Sequence, residues 1–211
     1  MMSRFPFIPF VAVVAVVCAS TAAAQEVASS TFYPTAIGTQ WVYSAGPVEI
    51  LERVVAYEKI GEDWCARIET VFNGKPISHE HIAIRPDGIY RVAVAGQQVQ
   101  PAFRLVKLPP RDKEQWAIAS KLGEQMIAGT FTLGESQVET PAGKYRTLTA
   151  TGTGFKIGEA EIEFVYHFAP GVGKVMQVTK IAGQKDVVLQ LKEFKLGSGA
   201  SQAAVPGTVG R

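Results

Sequence analysis

Apolar and polar residues alternate one by one through most of this chain, and a period of two commits it to β-structure. Within Glu159–Phe168, Ile162, Phe164, Tyr166 and Phe168 fall on one face, and Glu161, Glu163, Val165 and His167 on the other. Successive side chains of a strand point to opposite sides, so this pattern marks a strand with one buried face. In Trp64–Phe72, Trp64, Ala66, Ile68 and Phe72 alternate with Cys65, Arg67, Glu69 and Val71. The same reading gives strands at Gln40–Ser44, Glu49–Lys59, Ile77–Ile84, Tyr90–Ala95, Phe103–Leu108, Glu124–Leu133, Lys144–Thr151, Lys174–Ile181 and Asp186–Phe194. Asn73-Gly74, Pro86-Asp87-Gly88, Pro141-Ala142-Gly143 and Ala182-Gly183 separate strand-like runs with turn chemistry. Such short joins favour antiparallel hairpins, because parallel neighbours need longer crossovers. No helix is expected beyond the N-terminal segment; a turn is expected near Lys113–Ala119.

About eleven short strands in one domain predict an all-β antiparallel meander. To bury its apolar face it must curl into an open or closed barrel, or fold as a two-sheet sandwich. Gln40-Trp41-Val42-Tyr43 and Gln115-Trp116-Ala117-Ile118 form a faint internal echo. They do not amount to the regular period of a solenoid or propeller.

The N-terminus explains where such a chain goes. Arg4 precedes an apolar run from Phe5 to Val17, and small residues end at Ala22-Ala23-Ala24. These are the parts of a secretory signal peptide with cleavage near Ala24. The expected organisation is therefore a signal at 1–24, a flexible lead-in at 25–32, one β domain at 33–196 and a disordered tail at 197–211. The location is periplasmic or secreted. An uncleaved anchor over Phe5–Ala24 and lipidation of Cys18 are the alternatives. No other stretch is long and apolar enough for a membrane helix. Cleavage leaves Cys65 as the one cysteine, so no intramolecular disulfide is expected. The formal net charge of +2 gives no argument for nucleic acid.

Candidate chemistry is sparse. His79 and His81 share a strand face, and an H-x-H pair can give a zinc ion two ligands. His167 would be a third, with Glu161 or Glu163 a fourth. This requires distant strands to converge; the simpler reading is solvated histidines on an outer face. Cys65 could act as a thiolate beside Arg67, but a small, partly buried thiol needs fewer assumptions. Gly171-Val172-Gly173-Lys174 has part of a phosphate loop, yet Val175 stands where a magnesium-holding hydroxyl belongs. Glu161 and Glu163 read as an outward charged face rather than a glycosidase pair. Lys and Arg are enriched at Phe103–Lys121 and Lys174–Lys195, which reads as a solvated face or, less simply, a phospholipid contact. No catalytic residue, ligand-binding residue, metal ligand or cofactor is assigned on this basis.

Several segments resemble a group of uncharacterised bacterial exported proteins. They are Tyr33-Pro34 with Gly38-Thr39-Gln40-Trp41-Val42-Tyr43, then Val138-Glu139-Thr140-Pro141-Ala142-Gly143-Lys144-Tyr145, then Phe168-Ala169-Pro170-Gly171-Val172-Gly173-Lys174-Val175. Their order and approximate spacing are similar to those of the DUF3108 group and, more distantly, of LolA-like periplasmic proteins. The resemblance implies a strongly curved antiparallel sheet, and LolA-like members carry acylated cargo in an apolar concavity. It brings no catalytic residues. Trp41, Trp64, Trp116, Phe131, Phe164, Tyr166 and Phe168 are then core residues or the lining of a pocket. With no helix to plug a curved sheet, the apolar face needs a second sheet, a partner or a ligand to cover it. The expected function is a non-catalytic binding or carrier protein for a lipid-like or acylated molecule. The alternatives are a structural or interaction module of the cell envelope, binding another protein through a sheet edge or an exposed loop, and a metal-dependent hydrolase.

Overall fold

A computed structural model describes residues 28–157 and 160–199. They form twelve strands: β1 (Gln40–Ala45), β2 (Val48–Ile60), β3 (Asp63–Phe72), β4 (Lys75–Arg85), β5 (Gly88–Val94), β6 (Gln97–Lys107), β7 (Gln115–Leu122), β8 (Gln125–Thr140), β9 (Gly143–Ile157), β10 (Ala160–Ala169), β11 (Gly173–Ile181) and β12 (Val187–Lys195). Each strand pairs antiparallel with the next, and β1 also pairs with β12, which closes a barrel. The predicted all-β meander is correct, and the closing ladder excludes the sandwich and the open barrel.

The count rises from eleven to twelve because β7 occupies the region expected to turn. Trp116, Ile118 and Ser120 face inward there, while Ala117 and Ala119 face outward. Alanine outside and serine inside flatten the contrast on which the alternation depends. Strand β8 runs seven residues past its predicted end at Leu133, with Ser136, Glu135, Gln137 and Glu139 giving it no apolar rhythm.

Closure is uneven around the ring. The β6–β7 ladder holds only Val99↔Leu122 and Gln100↔Lys121. Pro101 follows at once and has no N–H to continue it. Trp116 Nε1 donates to Arg104 O at 3.0 Å across the parting strands.

Eight strands make a barrel that side chains can just fill, and twelve enclose more. Much of the extra space is taken by aromatic rings. Phe131 stacks on Trp116 with centroids 5.4 Å apart, and contacts Phe155, Phe103 and Tyr166. The backbone makes room for them: a Cβ on Gly152 would lie 2.6 Å from the Phe131 ring, so that position cannot carry a side chain without moving it.

One end is shut by the chain before β1. Tyr33 is buried and packs on Trp41 and Phe168, at 5.9 and 6.3 Å between ring centroids. Tyr57 donates its hydroxyl to Thr35 O, Gly38 N bonds Val54 O, and Gly171 N bonds Thr31 O. The described part of the expected lead-in is therefore docked against the 169–173 turn. That turn explains the glycine-rich motif. Trp41 Nε1 donates to Val172 O at 2.6 Å, and Gly173, at φ +92°, leaves 3.2 Å from its absent Cβ to Pro34. Gly197 N and Gly199 N bond Thr39 and Ile37, so the chain leaves the barrel at the same end. The expected signal at 1–24 and residues 200–211 of the expected tail lie outside the described residues.

Glu139–Lys144, Glu135–Arg146, Glu161–Lys156 and Glu163–Lys180 form exposed ion pairs on β8–β11.

Candidate functional site: a barrel cavity with a charged floor

The opposite end is not packed shut. A half-open cavity of about 380 Å³ lies inside the barrel there, within the range of ordinary small-molecule sites. Val94, Val99, Leu122, Ile127, Phe164 and Leu189 are among the residues that give it apolar walls. Val94, Val99, Leu122 and Ile127 adjoin the 94–97 and 122–125 hairpins, which places its mouth at the end away from Tyr33.

The floor carries two acidic and two basic side chains: Glu52, Glu80, Arg91 and Lys174. Strand register puts each of them inside. Glu52 follows the inward parity of Val54, and Glu80 pairs with Ile68 of the core. Arg91 pairs with Ile82 and with Phe103. A register shift after His167 sets Lys174 opposite Phe168, so the lysine shares the inward face of that ring. The predicted solvated basic face at Lys174–Lys195 is thus wrong for its first member, which is buried.

The four charges form two pairs. Lys174 Nζ lies 2.9 Å from Glu52 Oε1, and Arg91 Nε lies 2.5 Å from Glu80 Oε2. Lys174 also reaches Gln177 Oε1 at 3.4 Å and sits 5.1 Å from the Tyr43 ring centre. Tyr33 approaches Glu80 Oε1 at 3.5 Å. Burial alone would push Glu80 up and Lys174 down. Instead Arg91 and Lys174 hold Glu80 below the usual carboxylate range, and Glu52 and Glu80 hold Lys174 above the usual amine range. Glu80, Arg91 and Lys174 are therefore charged at neutral pH. Burial and the nearby carboxylates raise Tyr33 and Tyr43 well above the usual phenol value, so both remain protonated.

The candidate metal set does not assemble. Five strands separate β4 from β10 in either direction round the barrel, so His79 and His81 stand opposite His167. The rings of His79 and His81 do lie together, 5.5 Å apart, and His81 Nε2 meets Glu58 Oε2 at 2.7 Å. Glu58 is desolvated, yet its hydrogen bonds to His81 and Arg67 keep it below the usual carboxylate range. His167 Nδ1 is surrounded by the hydroxyls of Ser136, Thr147 and Thr149 at 3.1–3.4 Å. Burial lowers its pKa, so the ring is neutral at neutral pH. Among the described residues no three His, Cys, Asp or Glu side chains cluster as metal ligands.

Cys65 is completely buried, and burial together with Asp63 pushes its thiol up to about 12. The sequence reading makes it a partly buried thiol; the strand buries it fully. Glu161 and Glu163 lie on the outer face in ion pairs, as expected. Of the seven aromatics expected as core or lining, Trp41, Trp116, Phe131 and Phe168 are core. Phe164 and Tyr166 line the cavity, and Trp64 is half-buried in neither role. The charged floor is what the sequence reading missed. Its signal was a charge at core parity, as in Glu52 between Ile50 and Val54 or Glu80 between Ser78 and Ile82.

No protein-family model and no curated protein matches this chain. Two solved structures are similar to it in shape. One is a proposed lipoprotein from Parabacteroides distasonis, 12% identical, covering 78% of this chain and 98% of its own, with a TM-score of 0.44. The other is a proposed exported protein with a YmcC-like fold from Bacteroides fragilis, also 12% identical over the same shares, with a TM-score of 0.46.

Proposed function

We propose that this chain is an exported envelope protein that binds an apolar molecule inside its barrel without transforming it. The observation that carries the reading is the cavity with apolar walls inside the barrel, which opens at the end away from Tyr33. An unfilled apolar cavity of this size forfeits dispersion contacts that a fully packed interior would make, and a bound apolar molecule restores them. The leader sequence supports an envelope location, and the resemblance to exported and LolA-like proteins supports a carrier role. The interaction-module alternative is left with exposed loops and the parted β6–β7 seam, since the β1–β12 ladder leaves the sheet no terminal edge.

The test is Nile red fluorescence with the purified protein, alongside native mass spectrometry of material from its own envelope. Binding of the dye is expected, and it should be lost when Val99→Trp fills the mouth. A folded protein that neither binds Nile red nor carries lipid mass overturns the reading.

A further inference from the structure

The apolar walls say that the ligand has a tail; the floor says what kind of head it has. Resting on the binding role proposed above, we infer that the ligand carries a carboxylate, received by Arg91 and Tyr166.

The argument is an inventory of hydrogen-bonding capacity at the floor. Glu52 is engaged by Lys174, and Glu80 by Arg91 and Tyr33. Lys174 is further occupied by Gln177. Arg91 is different. Glu80 takes only its Nε–H, and its two terminal nitrogens bond to no described residue. Its side chain keeps 23% of its surface, and it lines the cavity. Tyr166 is the second incomplete group. It is 3% exposed and lines the same cavity, and its hydroxyl bonds to no described residue. Stacking on Phe164, at 6.0 Å and 11°, holds its ring in place.

The unused donors at the cavity are the guanidinium of Arg91 and the phenol of Tyr166, beside the side chains of Thr70, Ser78 and His79; of these the guanidinium alone presents two parallel N–H donors. A guanidinium fork matches the two oxygens of a carboxylate, and charge-assisted bonds of this kind are the stronger ones. Leaving such donors unmet inside a protein is costly. With its two internal ion pairs the floor is neutral overall, so a ligand carboxylate meets no net negative charge there. The predicted occupant is a single-tailed carboxylic amphiphile, with its head on Arg91 and Tyr166 and its tail along Val99, Leu122 and Ile127.

The experiment compares dodecanoate with 1-dodecanol as displacers of Nile red at pH 7.5, where the acid is ionised. Dodecanoate is expected to bind at least about tenfold more tightly. Tyr166→Phe should reduce that preference several-fold, and Arg91→Met should abolish it while dodecanol still binds. Because Arg91→Met unpairs Glu80, the paired variant Arg91→Met/Glu80→Gln is measured as well and should also show no preference. Equal affinity of acid and alcohol in the unaltered protein overturns the carboxylate inference and leaves the binding role standing, as does a preference that survives in the paired variant. Failure of the protein to bind Nile red, acid or alcohol overturns both.

Discussion

The two halves of the barrel interior start from the same alternating strands and end differently. Around Phe131 the inward positions hold aromatic rings in mutual contact, with Gly152 giving up its side chain to admit them. Around Arg91 and Lys174 the inward positions hold charges, and space remains above them. The first half is organised to exclude everything, as protein interiors generally are. The second accepts the desolvation cost of two ion pairs, which packed hydrophobic residues would avoid. Stability alone does not call for that arrangement; the proposed ligand contact would.

Substitutions in the two halves should separate these descriptions. The largest effect is expected for Phe131→Ala, which should lower the urea-derived stability by ~3–5 kcal/mol, because its neighbours are themselves fixed rings. A loss below about 1 kcal/mol would mean that this half is loosely packed. Glu52→Gln should cost about 3 kcal/mol by leaving Lys174 buried without its carboxylate, and Glu52→Leu/Lys174→Met should recover most of that loss. If the double variant stays as unstable as the single one, the pair is structural rather than retained for the cavity. Trp41→Phe removes the indole donor to Val172 O at the plugged end and should cost about 1–2 kcal/mol, read as a lowered denaturation midpoint.

The smallest effect is a pH slope. Burial holds His167 below its ordinary value, so the unfolded chain takes up a proton in a range where the native state does not. The native state therefore loses stability as pH falls from the ordinary histidine value of about 6.5 through the lowered one. Thermal midpoints should fall more steeply over that range in the unaltered protein than in His167→Asn. Equal slopes would show that His167 is not held neutral.

Much of the architecture was legible because it is local. Ile162, Phe164, Tyr166 and Phe168 announce an inner face by spacing alone, and Asn73-Gly74 and Pro141-Ala142-Gly143 announce hairpins. Strand β7 was illegible because Ala117 and Ala119 differ little from a buried residue in character. The site was harder to read than the fold. Lys174 sits in a basic stretch that looks solvated, and only the register shift against β10 turns it inward. The histidine pair looked like the beginning of a metal site, and only the ring order places His167 across the barrel from it.

The sequence by itself determined that this chain is a meander of strands with one apolar face, since side-chain alternation and turn chemistry act over a few residues. The tertiary structure decided that β1 meets β12, that the chain before β1 plugs one end, and that Glu52, Glu80, Arg91 and Lys174 converge beneath an open cavity. Those outcomes depend on registers and bulges between residues more than a hundred positions apart, such as Glu52 and Lys174, and no local pattern encodes that distance.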